Sequence, residues 1–190
     1  MTGVTFLAAE LTGKRLELLR EIIPELRRVA IIARPEHPGQ HLERAYSEET
    51  ARRLGMTIEY FPTRDRDELT AALAAIAENP PQAISLFADV FTMQNRQEII
   101  DFATSRRIPV ISGWPEFGQS GSLCTYGPSL DASYRRLAYY VDRVLRGTKP
   151  ADLPIERPTK FELVLNLKSA RALGITIRQS VEARADTVIE

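Results

Sequence analysis

The sequence is poor in the residues that most often carry catalysis or metal binding. It contains one cysteine and two histidines, so an internal disulfide is excluded and ligands for a metal centre are few. No Gly-x-Gly-x-x-Gly segment occurs, and no carboxylate pair or Ser/His/Asp order stands out. These absences predict a protein that is not an enzyme and that holds no metal or cofactor.

An excess of charge of one sign and long apolar runs are also missing. The 25 basic and 25 acidic residues cancel, which gives no reason to expect binding to nucleic acid or to an anionic membrane. No apolar run approaches the length that spans a bilayer, and the first residues lack a basic segment followed by an apolar one. We therefore expect no nucleic-acid partner, no membrane insertion and no signal peptide, and a cytoplasmic location if the chain is complete as written.

The histidines and the cysteine have plain structural interpretations. His37 and His41 are separated by a Pro-Gly pair, so they need not share a helix face. A metal site would need a third fixed ligand, for which Glu36 and Glu43 are the nearby choices, but solvated loop residues are the expected interpretation. No base lies near Cys124 in the sequence, so we expect a buried structural thiol there.

What the sequence does contain is the composition of a globular protein. Its 190 residues are 44% hydrophobic and 26% charged, which suffices for one good core. Helical and strand-like segments alternate, which predicts an α/β fold: a parallel, doubly wound, flavodoxin-like lobe. The predicted strands cover residues 29–33, 57–61, 83–87 and 109–112, and the helices between them cover residues 42–54, 65–77 and 94–105.

Capping residues mark several helix boundaries. Asp65, with Glu68 three residues later, resembles a capping box at the start of one helix. Gly55 is a typical left-handed stop after the preceding helix. Ser129 is a good N-cap for a later helix, which Gly147 would end.

Aromatic and polar residues follow the predicted strands at their carboxyl ends, where open α/β sheets bind ligands. Trp114 and Phe91 offer aromatic faces for a planar ligand, or else they pack on the edge of the lobe. Asp89 or Glu116 would accept an ammonium group, and Arg34 or backbone amides would bind a carboxylate. Alternatively, Asp89 caps a helix and Glu116 is exposed to solvent.

The segment after residue 117 has a different character. One apolar stripe recurs there at helical spacing: Leu130, Tyr134, Leu137, Val141, Val144 and Leu145. Alternating apolar residues then predict a strand: Phe161, Leu163, Leu165 and Leu167. We divide the chain into an α/β lobe, residues 1–117, which the resemblance described below implies is the solute-binding lobe, and a tail, residues 118–190. Because exposed apolar stripes and sheet edges favour association, we expect the tail to pack on the lobe or on a second copy of the chain.

Several stretches resemble one protein family. In the tail they are Y-G-P-S from Tyr126, R-G-T-K-P-A-D-L-P-I-E from Arg146 and P-T-K-F-E-L-V-L-N-L-K-S-A-R-A-L-G-I from Pro158. Near the start, A-A-E-L-T-G-K-R-L-E-L-L-R-E-I-I-P from Ala8 and R-V-A-I-I-A-R-P from Arg28 fit the same family. The chain is similar to bacterial ABC-transporter substrate-binding proteins of the aromatic-amino-acid (tryptophan/tyrosine) type, which have the type I periplasmic-binding-protein fold.

The resemblance implies a function and its partners. Family members capture a small solute between two lobes, close about a hinge and deliver the solute to an ABC permease from the periplasm or cell surface. For this chain the resemblance implies a small-molecule ligand, such as an aromatic or other hydrophobic amino acid. It also places Tyr126 at the crossing between lobes, where its side chain would face the cleft.

The resemblance further implies that part of the binding protein is missing. Family members carry an export signal and a complete first lobe ahead of the segment that corresponds to T-G-V-T from Thr2. The tail would then complete that first lobe. We expect weak or absent ligand binding by the chain alone, unless a homodimer formed through the tail supplies the missing wall.

A second class of function is left open by the sequence. The same lobe fold serves as the effector or dimerisation part of cytoplasmic regulators, which the lack of an export signal fits. An enzyme has the least support, because fold does not exclude catalysis but no catalytic constellation occurs.

Overall fold

Short runs of β-branched and other apolar residues form the buried strands of a mixed sheet. The computed structural model describes residues 2–190. Its strands are β1 (Gly3–Val4), β2 (Arg28–Ala33), β3 (Thr57–Pro62), β4 (Ala83–Leu86), β5 (Val110–Ser112), β6 (Cys124–Pro128), β7 (Ile155–Glu156), β8 (Phe161–Asn166) and β9 (Thr187–Ile189). The residues of β2 from Val29 onward are all buried, as expected of a strand covered on both faces.

Helices connect the strands. They are α1 (Ala8–Ile22), α2 (Gln40–Arg53), α3 (Arg66–Glu78), α4 (Val90–Gln94), α5 (Arg96–Ser105), α6 (Glu116–Ser120), α7 (Leu130–Leu145), α8 (Leu167–Leu173) and α9 (Gln179–Glu182). The predicted caps are confirmed: a side-chain oxygen of Asp65 accepts from the Glu68 amide at 2.9 Å, and Ser129 Oγ accepts from the Ala132 amide at 3.4 Å. Gly55 follows α2 with φ 66° and Gly147 follows α7 with φ 94°, which are left-handed values that glycine tolerates.

The main sheet has the strand order β3-β2-β4-β5-β6-β8-β9. Neighbouring strands are parallel, except that β8 runs antiparallel to β6. Apolar residues of α1, α8 and α9 pack on one face of the sheet, and those of α3, α5 and α6 pack on the other. The predicted α/β architecture with helices on both faces is therefore confirmed, and the carboxyl ends of β2, β4, β5 and β6 meet at one edge.

The tail divides into two parts in the structure. Strand β6, the first strand of the tail, pairs with β5 of the lobe, and β8 pairs with β6 from Cys124 opposite Leu165 to Pro128 opposite Phe161. This part of the tail therefore packs on the lobe, which is one of the two expected packings. The lobe's sheet thus extends beyond residue 117, because the apolar face of β8 buries Leu163 and Leu165 on it. Helix α7 and strand β7 lie outside the main sheet, and β7 pairs only with β1.

The apolar stripe of α7 is exposed. Tyr134 is 65% exposed, Leu137 is 44% exposed and Leu145 is 81% exposed. The opposite face of the helix is anchored, since both Nε and a terminal nitrogen of Arg136 donate to the Glu156 carboxylate in β7. The stripe therefore presents an apolar surface that nothing in the described part of the chain covers. The homodimer through this tail stays a prediction.

The single cysteine is structural in its surroundings. Cys124 is fully buried in β6, and burial raises the pKa of its thiol to about 12. Because the thiolate is the reactive form, this environment disfavours nucleophilic chemistry. Separately, no helix within residues 2–190 combines the length and apolarity needed to cross a membrane.

Two leucines test whether β8 belongs to the core while the apolar stripe of α7 is exposed. Leu165 is fully buried in β8, whereas Leu137 is 44% exposed on α7. We expect Leu165→Ala to lower the free energy of unfolding by about 2–5 kcal/mol, because it leaves a cavity. The matched change Leu137→Ala should alter it by less than about 0.5 kcal/mol. Urea denaturation of both variants checks this, and equal losses would contradict the placement of β8 in the core.

Candidate ligand-binding cavity

A cavity of about 360 Å³ opens at the carboxyl edge of the main sheet. Its wall comes from residues just after β2, β4 and β5, from the end of β6, and from the start of α1. The carboxyl ends of parallel strands are where open α/β sheets place their ligands. The volume is that of a pocket for a small molecule.

Two aromatic rings form one side of the cavity. Phe6 lies between β1 and α1, and Trp114 lies just after β5. Their ring centroids are 6.1 Å apart in an edge-to-face arrangement. Phe6 remains 43% exposed, and Trp114 also packs on the apolar core beneath it. The pair offers apolar and aromatic surface to a planar ligand group.

Arg15 is a buried cation in the cavity wall. It belongs to α1 and is only 1% exposed. Its Nε donates to the Tyr126 carbonyl oxygen at 2.8 Å, which ties α1 to β6. Gly113 makes room for the guanidinium, since a Cβ there would lie 2.3 Å from a terminal nitrogen of Arg15. Burial lowers the pKa of Arg15 to about 10, and the charge of Glu43 opposes this shift.

Glu43 is a buried carboxyl behind the cavity. Helix α2 packs closely on α1 because Gly13 faces Thr50, and the Thr12 hydroxyl donates to the Glu43 carbonyl oxygen at 3.1 Å. The Glu43 carboxyl is 1% exposed, and its Oε1 lies 3.5 Å from Nε2 of His37, a residue of the cavity wall. Burial raises the pKa of the Glu43 carboxyl, against the opposing effects of His37 and Arg15.

Asp89 contributes a second carboxylate. It begins α4 directly after β4, and its Oδ1 accepts from the Thr92 amide at 3.0 Å. The predicted capping role is therefore confirmed. Asp89 also lines the cavity and is 5% exposed, and its Oδ2 has no hydrogen-bond partner in the part of the chain that the structure describes. The capping and cavity roles weighed against each other in the sequence thus coexist in one side chain.

The sequence-based candidates reach the cavity only in part. Asp89 and Trp114 line it. The side chains of Arg34, Phe91 and Glu116 do not: Arg34 lies 3.6 Å from Glu36 in an exposed ion pair, Phe91 packs on the core, and Glu116 is exposed at the start of α6.

Tyr126 takes part through its backbone. Its carbonyl oxygen accepts from Arg15, while its ring stacks on Phe161 with centroids 6.2 Å apart. Its side chain is not among those that line the cavity.

Sequence reasoning missed the buried charges. The sequence predicts solvated loop residues at His37 and His41 and places Glu43 in the helix 42–54, but it does not indicate that the Glu43 carboxyl is buried on the face of α2 that packs against α1. A signal existed in α1: Arg15 recurs at helical spacing with Leu11, Leu19 and Ile22, so a charge occupies the buried stripe.

Burial of the Glu43 carboxyl predicts how the free energy of unfolding depends on pH. A raised folded-state pKa means that stability is fully present below the unfolded pKa, about 4.3, and is lost as pH rises through the folded pKa. Glutamine resembles the protonated acid. We expect Glu43→Gln to match the wild type near the unfolded pKa and to be the more stable protein above it, by about 1.4 kcal/mol per unit of pKa elevation.

Urea denaturation over a pH series measures this difference. The control is Glu49→Gln, which removes the same charge from an exposed position on the same helix and should show no such trend. A difference between Glu43→Gln and wild type that does not change with pH would contradict the burial argument.

Comparison with known proteins assigns the chain to a family. The family described as ABC transporter substrate binding protein matches residues 1–189. A search of curated proteins finds no match. Among solved structures, a conserved domain protein from Vibrio cholerae O1 biovar El Tor is similar with a TM-score of 0.90 and 24% identity, over 98% of this chain and 62% of that one.

Two further structures share the fold. An ABC domain in complex with L-Trp from Streptococcus pneumoniae has a TM-score of 0.88 and 21% identity, over 99% of this chain and 64% of that one. The ligand-free, open structure of CD0873, a substrate-binding protein with adhesive properties from Clostridium difficile, has a TM-score of 0.71 and 16% identity, over 99% of this chain and 62% of that one.

The chain thus spans less than two thirds of the length of these solved relatives. At these identities the structures establish the fold, and the match over residues 1–189 establishes the family. The chain belongs to the ABC transporter substrate-binding proteins.

Proposed function

We propose that this chain forms one wall of the ligand cleft of an ABC importer's substrate-binding protein. Its ligand is a small molecule with a planar or apolar body, such as an aromatic or other hydrophobic amino acid. The observation that carries the proposal is the cavity at the carboxyl ends of β2, β4, β5 and β6, with Phe6 and Trp114 on one side. The L-Trp bound to the pneumococcal relative supports the ligand class.

In this proposal the second wall corresponds to the part of the solved relatives that these 190 residues do not cover. The exposed apolar stripe of α7 supports this, because contiguous apolar side chains on a surface usually mark a contact with another part of a protein. Helix α7 and strand β7 are then the part of the tail that completes the other lobe, while β8, α8, α9 and β9 stay with this one.

In this proposal the two lobes close on the ligand, and the segment that carries Phe6 contacts the ligand as they close. Phe6 belongs to the segment that joins β1 to α1, and its neighbour Leu7 has a left-handed backbone with φ 49°. Such a conformation is uncommon for leucine and aims the two flanking residues at the cavity wall. A ligand that touches both lobes and the joining segment stabilises the closed arrangement, since it makes more contacts there. Delivery to a membrane permease follows, with the periplasm or cell surface as the location.

Binding by the 190-residue chain tests the proposal. Emission from Trp114, the single tryptophan, is titrated with L-phenylalanine and L-leucine. Because one wall supplies only part of the contacts, we expect saturable changes with dissociation constants in the millimolar range. Phe6→Ala should weaken L-phenylalanine binding by about threefold to tenfold, the value of one aromatic contact.

The matched control is Tyr134→Ala, which removes an exposed aromatic ring on α7, outside the cavity. It should leave both affinities unchanged. An emission that responds to neither amino acid, or equal losses in the two variants, would contradict a ligand site at this edge of the sheet.

A further inference from the structure

One carboxylate oxygen at the cavity lacks a hydrogen-bond partner among residues 2–190. It is Oδ2 of Asp89, a residue that is 5% exposed. Leaving a buried acceptor without a donor costs about 1–3 kcal/mol, and more when the group is charged. Such atoms are rare in folded proteins and call for a physical explanation, of which an absent ligand group is one.

The cations nearby are already engaged or constrained. Nε of Arg15 donates to the Tyr126 carbonyl oxygen, and the guanidinium packs closely against Gly113. Arg15 forms no ion pair with Asp89. His37 lies 3.5 Å from Glu43, which is a second carboxyl of the same buried cluster. His37 thus contacts Glu43, and no side chain among residues 2–190 donates to Asp89 Oδ2, so a positive ligand group would supply the missing partner of this oxygen.

The geometry of Asp89 narrows the kind of cation. Its Oδ1 is occupied by the Thr92 amide at 3.0 Å, because the residue caps α4. Oδ2 is therefore the oxygen with its full acceptor capacity, whereas Oδ1 already accepts one hydrogen bond. A guanidinium gains most from a carboxylate that offers both oxygens, whereas an ammonium group needs a single acceptor in each direction. No group of three His, Cys, Asp or Glu side chains within residues 2–190 is arranged to hold a metal ion.

We propose that Asp89 binds the ammonium group of the ligand, so that this lobe takes the positively charged end of a primary amine. The inference rests on the function proposed above and adds the chemistry of one end of the ligand. The apolar body of the ligand then lies toward Phe6 and Trp114, which line the same cavity. The exposed Val90 beside Asp89 extends the apolar wall.

Three compounds with one apolar body test the assignment: 2-phenylethylamine, 2-phenylethanol and (2-phenylethyl)guanidine. Each is titrated against Trp114 emission of the 190-residue chain. We expect the amine to bind most tightly. Asp89→Asn should weaken amine binding by about tenfold or more, the value of a charge-assisted hydrogen bond. It should leave binding of the alcohol unchanged.

The variant is chosen to keep the fold. Asparagine retains an oxygen that accepts from the Thr92 amide, so α4 stays capped and the chain should unfold at the same denaturant concentration. Asp67→Asn, which removes an exposed carboxylate from the first turn of α3, is the control for loss of one negative charge and should not change amine binding.

The outcomes separate the two proposals. Equal affinities for amine and alcohol, or an amine preference that survives Asp89→Asn, would overturn the ammonium assignment and leave the ligand cavity standing. Tighter binding of the guanidine than of the amine would overturn the single-acceptor argument. Emission that responds to none of the three compounds would overturn the cavity's function, and the assignment with it.

Discussion

The burial of Arg15 is the constraint on which the ligand cavity depends. Its guanidinium fills the space that Gly113 leaves free, and its Nε holds the Tyr126 carbonyl oxygen at 2.8 Å. Gly127 is equally required, because a Cβ there would lie 2.0 Å from the Gly113 carbonyl oxygen. These contacts fix α1 against the ends of β5 and β6, and with them the distance between the aromatic wall and the strand ends.

Joining a helix to a sheet through a buried guanidinium carries a large free-energy cost of desolvation. Desolvation lowers the pKa of Arg15 to about 10, and apolar residues of similar volume often stabilise a protein as well as or better than buried charges do. The cluster of Arg15, Glu43, Asp89 and His37 is therefore not explained by stability alone. In the proposed function it gives an otherwise apolar cavity a polar region in which the charge of a ligand is distinguished.

Local rules predicted much of the fold and two of the residues that line the candidate cavity. Hydrophobic runs predicted β2 and β4, and capping chemistry at Asp65 and Ser129 predicted two helix starts, since both depend on residues close in sequence. The strand-end rule led to Asp89 and Trp114. The same rule named Arg34 and Glu116, whose side chains take other directions, because it gives the position of a backbone and not the rotamer of its side chain.

The remaining features depend on non-local packing. The pairing of β8 with β6 joins residues more than thirty positions apart, and alternation in the sequence does not say which sheet edge a strand will extend. The burial of Glu43 follows from the close approach of α1 and α2 at Gly13. The polar positions 43, 47 and 50 of α2 are buried because α1 packs on them, and the sequence of α2 alone does not indicate this.

Amide NMR of the labelled 190-residue chain with increasing L-phenylalanine tests whether this edge of the sheet binds the ligand. Chemical-shift changes are expected to concentrate at residues that line the cavity, namely Phe6, Ala88, Asp89, Val90 and Trp114. Shifts centred elsewhere, such as the groove between α5 and α8, or no shifts at all, would contradict the proposal that this edge of the sheet is the ligand-binding wall.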